Sequence, residues 1–209
     1  MVGYDWRRRC LALIGLVLLF AGGWFGTEWI ALRAGRFHDF STSWDRRIPL
    51  LTGWAWGYAA IYILVAATFL FTSSWERLRR AMRGIALQSV LAYPFFLFVP
   101  VRMIHRPDAM VYRLSGLNAG LTSFFYALDQ PDNLFPSLHL SMAFWAGGIL
   151  VEEHPRWKWP IRAVFLWIAL SVLFIRQHYL ADVAGGIALA WITRRLLRPT
   201  PSISPVSPD

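Results

Sequence analysis

This 209-residue chain contains a single cysteine, Cys10, and a single lysine, Lys158. One cysteine excludes an intramolecular disulfide framework and any metal site built from several thiolates, and it leaves the redox compartment open. The shortage of lysine is not a shortage of positive charge, because the remaining basic residues are arginines and the formal net charge is +9. Those arginines lie in clusters between apolar runs and not along one amphipathic face, so no nucleic-acid partner is expected. Charge as a whole is sparse, 16% against 56% hydrophobic residues, with 12 tryptophans and 15 phenylalanines. A soluble domain of this length carries more charge, and the pattern points to the bilayer.

The uncharged runs predict an all-α integral membrane protein with six transmembrane helices, one domain over residues 1–198, and a disordered Pro/Ser-rich tail over 199–209. The first span covers residues 10–27 behind Arg7 to Arg9; a cleaved signal peptide is the alternative, but apolar character continues through Trp24, Phe25, Trp29 and Ile30. Residues 48–75 form the clearest span, with Trp54, Trp56 and Tyr58 read as interfacial anchors. The arginines from Arg77 to Arg83 separate it from a third span at 84–101, which carries Pro94 and Pro100. Residues 102–132 form the longest connection, with a short surface helix expected in its middle. The fourth stretch covers 133–151, the fifth 159–175, and the sixth runs from His178 to Thr193, with Ala184, Gly185, Gly186 and Ala188 allowing a close helix approach. Six spans put both termini on one side. Basic residues on that side outnumber those on the other, so the termini are expected in the cytoplasm, the membrane being of the bacterial plasma-membrane type.

Two short stretches carry the chemistry: Phe135-Pro136-Ser137-Leu138-His139 and Arg176-Gln177-His178-Tyr179-Leu180-Ala181-Asp182. The span count places both at the extracytoplasmic face. On a helix, His178 and Asp182 share one face. A carboxylate holding one imidazole nitrogen fixes the tautomer and leaves the other as base or nucleophile. An acidic residue at such depth is a functional-site hypothesis by default. His139 supplies a second imidazole, able to act as an acid. Arg102 and Arg106, four apart at the end of the third span, and Arg176 beside His178 offer guanidinium forks that match phosphate oxygens. Ser137 begins a helix, where an anion is stabilised. The assembled expectation is a phosphoryl group held by Arg102, Arg106, Arg176 and Ser137. His178 attacks in line, Asp182 orients it, and His139 protonates the leaving oxygen. Water as acceptor gives a phosphatase; an alcohol gives a transferase.

At these residues the chain resembles the type 2 phosphatidic acid phosphatase superfamily, whose motifs end in Arg-Pro, read Pro-Ser-x-His, and contain His-x-x-x-Asp. Arg106-Pro107, Pro136-Ser137-Leu138-His139 and His178 with Asp182 match in order. The resemblance implies a helical bundle and a metal-independent phosphohistidine mechanism without a cofactor. Its partners would be a phospholipid or lipid phosphate and, for transfer, a lipid alcohol. Val99 stands where the family has a leading lysine, Ser171-Val172 where it has Ser-Arg, and Leu138 where many phosphatases have glycine. The second and third motifs are more similar to the branch that includes inositol-phosphoryl-ceramide synthases, which shifts the expectation toward head-group transfer.

Three rivals share these residues. A non-catalytic lipid-binding or transport protein would use the arginines as a head-group site. A serine hydrolase would pair Ser137 with His178, although no Gly-x-Ser-x-Gly elbow surrounds Ser137. A metal site would draw on His139, His178 and Asp182.

Overall fold

The computed structural model describes residues 6–197; the tail and Arg198 lie outside them. Among the described residues the protein is helical throughout, with extended backbone paired only at an isolated bridge between His38 and Val101. The helices are α1 (Trp6–Ala34), α2 (Ser43–Arg47), α3 (Ala55–Phe71), α4 (Trp75–Phe98), α5 (Asp108–Val111), α6 (Leu117–Leu128), α7 (Leu138–Glu153), α8 (Lys158–Phe174) and α9 (Leu180–Leu196). Four stretches, Trp6–Ala34, Thr52–Phe71, Trp75–Phe98 and Pro155–Phe174, are long and apolar enough to cross a membrane. The 16 residues of α7 and 17 of α9 make helices about 24–26 Å long, shorter than a hydrocarbon core of about 30 Å.

Local chemistry explains where the helices differ from the apolar runs. α4 begins at Trp75, well before the third apolar run, because the Ser74 hydroxyl caps it by accepting from the Arg77 N–H and Glu76 lies in its first turn. The arginines end the apolar run without ending the helix. α9 begins at Leu180, so His178 precedes the helix and does not share a helical face with Asp182 as the spacing suggested. Asp182 instead reaches back to accept the Tyr179 N–H at 2.8 Å. Arg102 and Arg106 are likewise outside a helix, because α4 stops at Phe98. The long connection contains two helices, α5 and α6.

Hydrogen bonds sort the helix ends into two groups. At one end Arg9 donates to the carbonyls of Phe69 and Thr72, and Arg77 and Arg80 pair with Glu153 and Glu152. At the other, the His38 and Leu51 N–H groups bond the carbonyls of Pro100 and Phe174, and Arg176 donates to Ile48 O. The long helices therefore run antiparallel in sequence.

α7 is central. It packs on one side against α3 and α8 in a core of Tyr58, Ile61, Leu140, Ala143, Ile168 and Val172. On another it meets α1, α4 and α9 through Trp24, Ala81, Phe96, Trp145, Ile149 and Leu189. A helix apolar around its whole circumference suits that position. Close approach depends on glycine: a Cβ on Gly84 would lie 2.1 Å from the Trp145 ring, and one on Gly186 would lie 2.5 Å from the Ser137 carbonyl oxygen. Facing outward, Leu11, Leu18, Ile63, Phe71, Trp159 and Leu166 are exposed. Such an apolar belt is what lipid solvates and water does not.

Candidate active site

The Pro136-Ser137 turn leads into α7 at the end of the bundle opposite the Arg77–Glu153 pair. Ser137 is its N-cap, with the hydroxyl accepting the Leu140 N–H at 3.4 Å. Its own N–H donates to the Asp182 carbonyl at 3.1 Å, which fastens the start of α7 to the first turn of α9. Two residues after the cap, His139 points into the same space as His178. His178 Nε2 is 3.4 Å from His139 Nδ1 and 3.1 Å from Ser137 Oγ. On the far side of the His178 ring, Nδ1 is 3.5 Å from Asp182 Oδ2. His178 and Asp182 are both buried, and His178 Nδ1 and Asp182 Oδ1 have no hydrogen-bond partner. A neutral imidazole with its proton on Nδ1 directs that N–H at the Asp182 carboxylate and leaves Nε2 unprotonated.

The structure thus brings Ser137, His139, His178 and Asp182 together. The three arginines are placed differently, each engaged with protein acceptors. Arg106, its side chain only 3% exposed, donates to Asp129 O at 2.7 Å, Gln177 Oε1 at 3.1 Å, Tyr126 O at 3.2 Å and the Asp108 carboxylate. Arg102 forks onto Asp132, and that hydrogen bonding raises its pKa above the ordinary guanidinium value. Arg176, in a left-handed backbone conformation (φ 53°), turns its guanidinium onto the carbonyls of Arg46 and Ile48. Of the three, Arg176 lines a narrow crevice that reaches His178, together with Arg46, Asp45 and His105.

Three further residues surround the cluster without a sequence signal that assigns them there. Tyr58, expected as an interfacial anchor, is fully buried, and its hydroxyl donates to Asp129 and lies 3.1 Å from His139 Nε2. Asp129 ends α6 and places its Oδ2 3.7 Å from His139 Nε2. Asp45 serves two helices, since it closes a capping box with Thr42 and accepts the Leu180 N–H of α9 at 2.8 Å. No motif spacing links Tyr58 or Asp45 to the histidines, and an aromatic near the end of an uncharged run reads equally as an interfacial anchor.

On the other side of His139 lies a cavity of about 570 Å³, lined by Leu13, Leu16 and Phe20 of α1, Ile61, Tyr62, Val65 and Phe69 of α3, Ile85 of α4 and Met142 of α7. The two imidazoles therefore stand between a polar crevice and an apolar cavity. Among the described residues, no group of three or more His, Cys, Asp or Glu side chains has the arrangement of a metal site.

Fold and site together define an all-helical membrane protein with paired histidines near one end of its bundle. The chain belongs to the PAP2 superfamily, whose family model matches residues 42–196. It is also similar to the inositol phosphorylceramide synthase catalytic subunit aur1 of Schizosaccharomyces pombe (strain 972 / ATCC 24843). Identity is 33% over 58 residues, which cover 28% of this chain and 14% of that protein. No solved structure matches the chain.

Proposed function

We propose that the protein is an integral-membrane lipid phosphatase or phosphotransferase that forms a phosphohistidine on His178. The observation that carries this reading is the pair of facing nitrogens, His178 Nε2 and His139 Nδ1, with Asp182 behind the first ring. A phosphoryl group parts the two rings on binding. His178 Nε2 forms the N–P bond while the P–O bond to the leaving alcohol breaks, and the proton on His139 Nδ1 passes to that oxygen. Asp182 stabilises the charge that develops on His178. In the second half, His139 Nδ1 takes a proton from the acceptor as its oxygen attacks phosphorus and the N–P bond breaks. Ser137 and the N-terminus of α7 supply a donor and a positive helix end beside the phosphoryl oxygens.

The lipid class follows from what surrounds His139. In-line geometry puts the leaving alcohol on the His139 side, where the apolar cavity lies. A volume of this size falls in the range of ligand pockets, and its aliphatic and aromatic walls suit an acyl or isoprenoid chain. The acceptor enters by the same side, so a lipid alcohol competes with water there. Similarity to an inositol phosphorylceramide synthase adds weight to head-group transfer. With six spans, α7 and α9 included, and cytoplasmic termini, the site faces the extracytoplasmic leaflet.

The 3.1 Å contact between Ser137 Oγ and His178 Nε2 favours a second reading, with Ser137 as the nucleophile of a Ser-His-Asp arrangement. One experiment separates the two. Protein incubated with labelled phosphatidic acid and quenched should carry acid-labile, alkali-stable phosphate, as a P–N bond does. The label should persist in Ser137→Ala and vanish in His178→Ala. Acid-stable label lost in Ser137→Ala establishes the serine route instead. A His139→Ala/His178→Ala protein that still moves lipid between leaflets would favour a transport role.

A further inference from the structure

We propose that Asp129 and Tyr58 are positioning residues for His139, a second carboxylate set behind the second imidazole through a phenol. The inference rests on the phosphohistidine reading above and concerns how the acid of that reaction is held. Tyr58 comes from the first turn of α3, Asp129 from the end of α6 and His139 from the first turn of α7, and all three are buried or nearly so. The Tyr58 hydroxyl donates to Asp129 Oδ2, so its oxygen is free to accept from His139 Nε2 at 3.1 Å. Asp129 Oδ2 itself stands 3.7 Å from the same nitrogen. That direction of donation keeps the proton on Nε2, and the tautomer follows from it. Nδ1 is then the working nitrogen, and it is the one that faces His178.

Asp129 is in turn held in place. Its N–H closes α6 onto Phe125 O at 2.9 Å, and its carbonyl accepts from the buried Arg106 at 2.7 Å. Tyr62 and Phe125 stack with their planes 4° apart beside the Tyr58 ring. The charge balance is simple. When His139 carries two protons, Nδ1–H goes to the leaving oxygen and Nε2–H stays with Tyr58. When the acceptor attacks, Nδ1 takes its proton and the imidazolium forms again, stabilised by the carboxylate one phenol away. No proton leaves Asp129 or Tyr58 in either half. The two imidazoles are thus backed differently: His178 directly by Asp182, and His139 through an intervening hydroxyl.

Leaving-group dependence tests this assignment, because an acid matters only when the departing oxygen is basic. Full-length wild type, Asp129→Asn and Tyr58→Phe in mixed micelles would be compared in single-turnover phosphoenzyme formation. The donors would be phosphatidic acid, with an alkoxide leaving group, and p-nitrophenyl phosphate, whose phenolate needs no proton. Asp129→Asn should slow the reaction of phosphatidic acid by roughly 10²-fold or more, and that of the nitrophenyl ester by roughly threefold or less. Tyr58→Phe should show the same selectivity to a smaller extent; lacking only a hydroxyl, it stands in if Asp129→Asn does not fold. Equal loss with both donors in a folded variant, or no loss with either, would overturn the proposal. His178→Ala should form no phosphoenzyme with either donor. If it does, the phosphohistidine reading itself fails and this inference falls with it.

Discussion

Arg106 shows how a residue can match a motif and still be occupied elsewhere. Its guanidinium satisfies the carbonyls of Tyr126 and Asp129 and the side chain of Gln177, the neighbour of His178. It also lies over the Tyr126 ring at 4.3 Å. Removing it leaves several buried acceptors without donors. Arg106→Ala is therefore expected to destabilise the fold by about 3 kcal/mol or more, seen as a lowered melting temperature of the purified protein, with activity lost in parallel. Arg106→Lys keeps the charge but not the fork, and should fall between. A guanidinium whose role was confined to the substrate would raise KM and leave the melting temperature unmoved. The Arg-Pro pair was legible as a motif, but its partners were not, because they come from α6 and from the segment ahead of α9. Ser137 was legible as a cap, since a serine after proline at the start of an apolar helix has a local reason to be there.

At the scale of the elements, the site depends on how closely α9 approaches the start of α7. Gly186 has no side chain where a Cβ would meet the Ser137 carbonyl, a backbone atom that cannot rotate away. Gly186→Ala should push α9 from Ser137 and shift Asp182 and His178 relative to His139. The expected result is a loss of turnover on the order of 10²-fold, the cost of a misplacement of about 1 Å. Insertion into the membrane should be unchanged. Gly22→Ala, where a Cβ meets nothing within 4 Å, is the neutral control; equal activity of the two variants would show that the approach is not critical. The small residues of α9 are visible in the sequence, and so is the purpose of a run of them. The spacing argument for His178 and Asp182 reached the right neighbours by the wrong geometry. Helix periodicity assumes a helix that here starts two residues after His178, and the carboxylate returns to its own N-terminus as a cap.

Across the whole molecule, one end of the bundle is held by Arg9, Arg77, Arg80, Glu152 and Glu153, and the other gathers Asp45, Arg106, Asp129 and the two histidines. If the first end is cytoplasmic, a cysteine replacing exposed Arg113 should react with a membrane-impermeant thiol reagent in intact cells, on a Cys10→Ser background. A cysteine replacing exposed Arg156 should react only after permeabilisation. The reverse pattern would put the site at the cytoplasmic face.

The sequence by itself determined that this chain is helical and apolar enough for a bilayer, and roughly where its long helices lie. Those properties follow from composition and from the length of uncharged runs, which any local window can read. It also marked Ser137, His139, His178 and Asp182, because short motifs carry them. Only the tertiary structure decided that Tyr58 and Asp129 meet His139, and that the arginines are bound to carbonyls and carboxylates of the protein. Tyr58 stands 71 residues from Asp129 and 81 from His139, and Arg176 stands 128 from Ile48; groups at such separations become neighbours only once the helices have packed around α7.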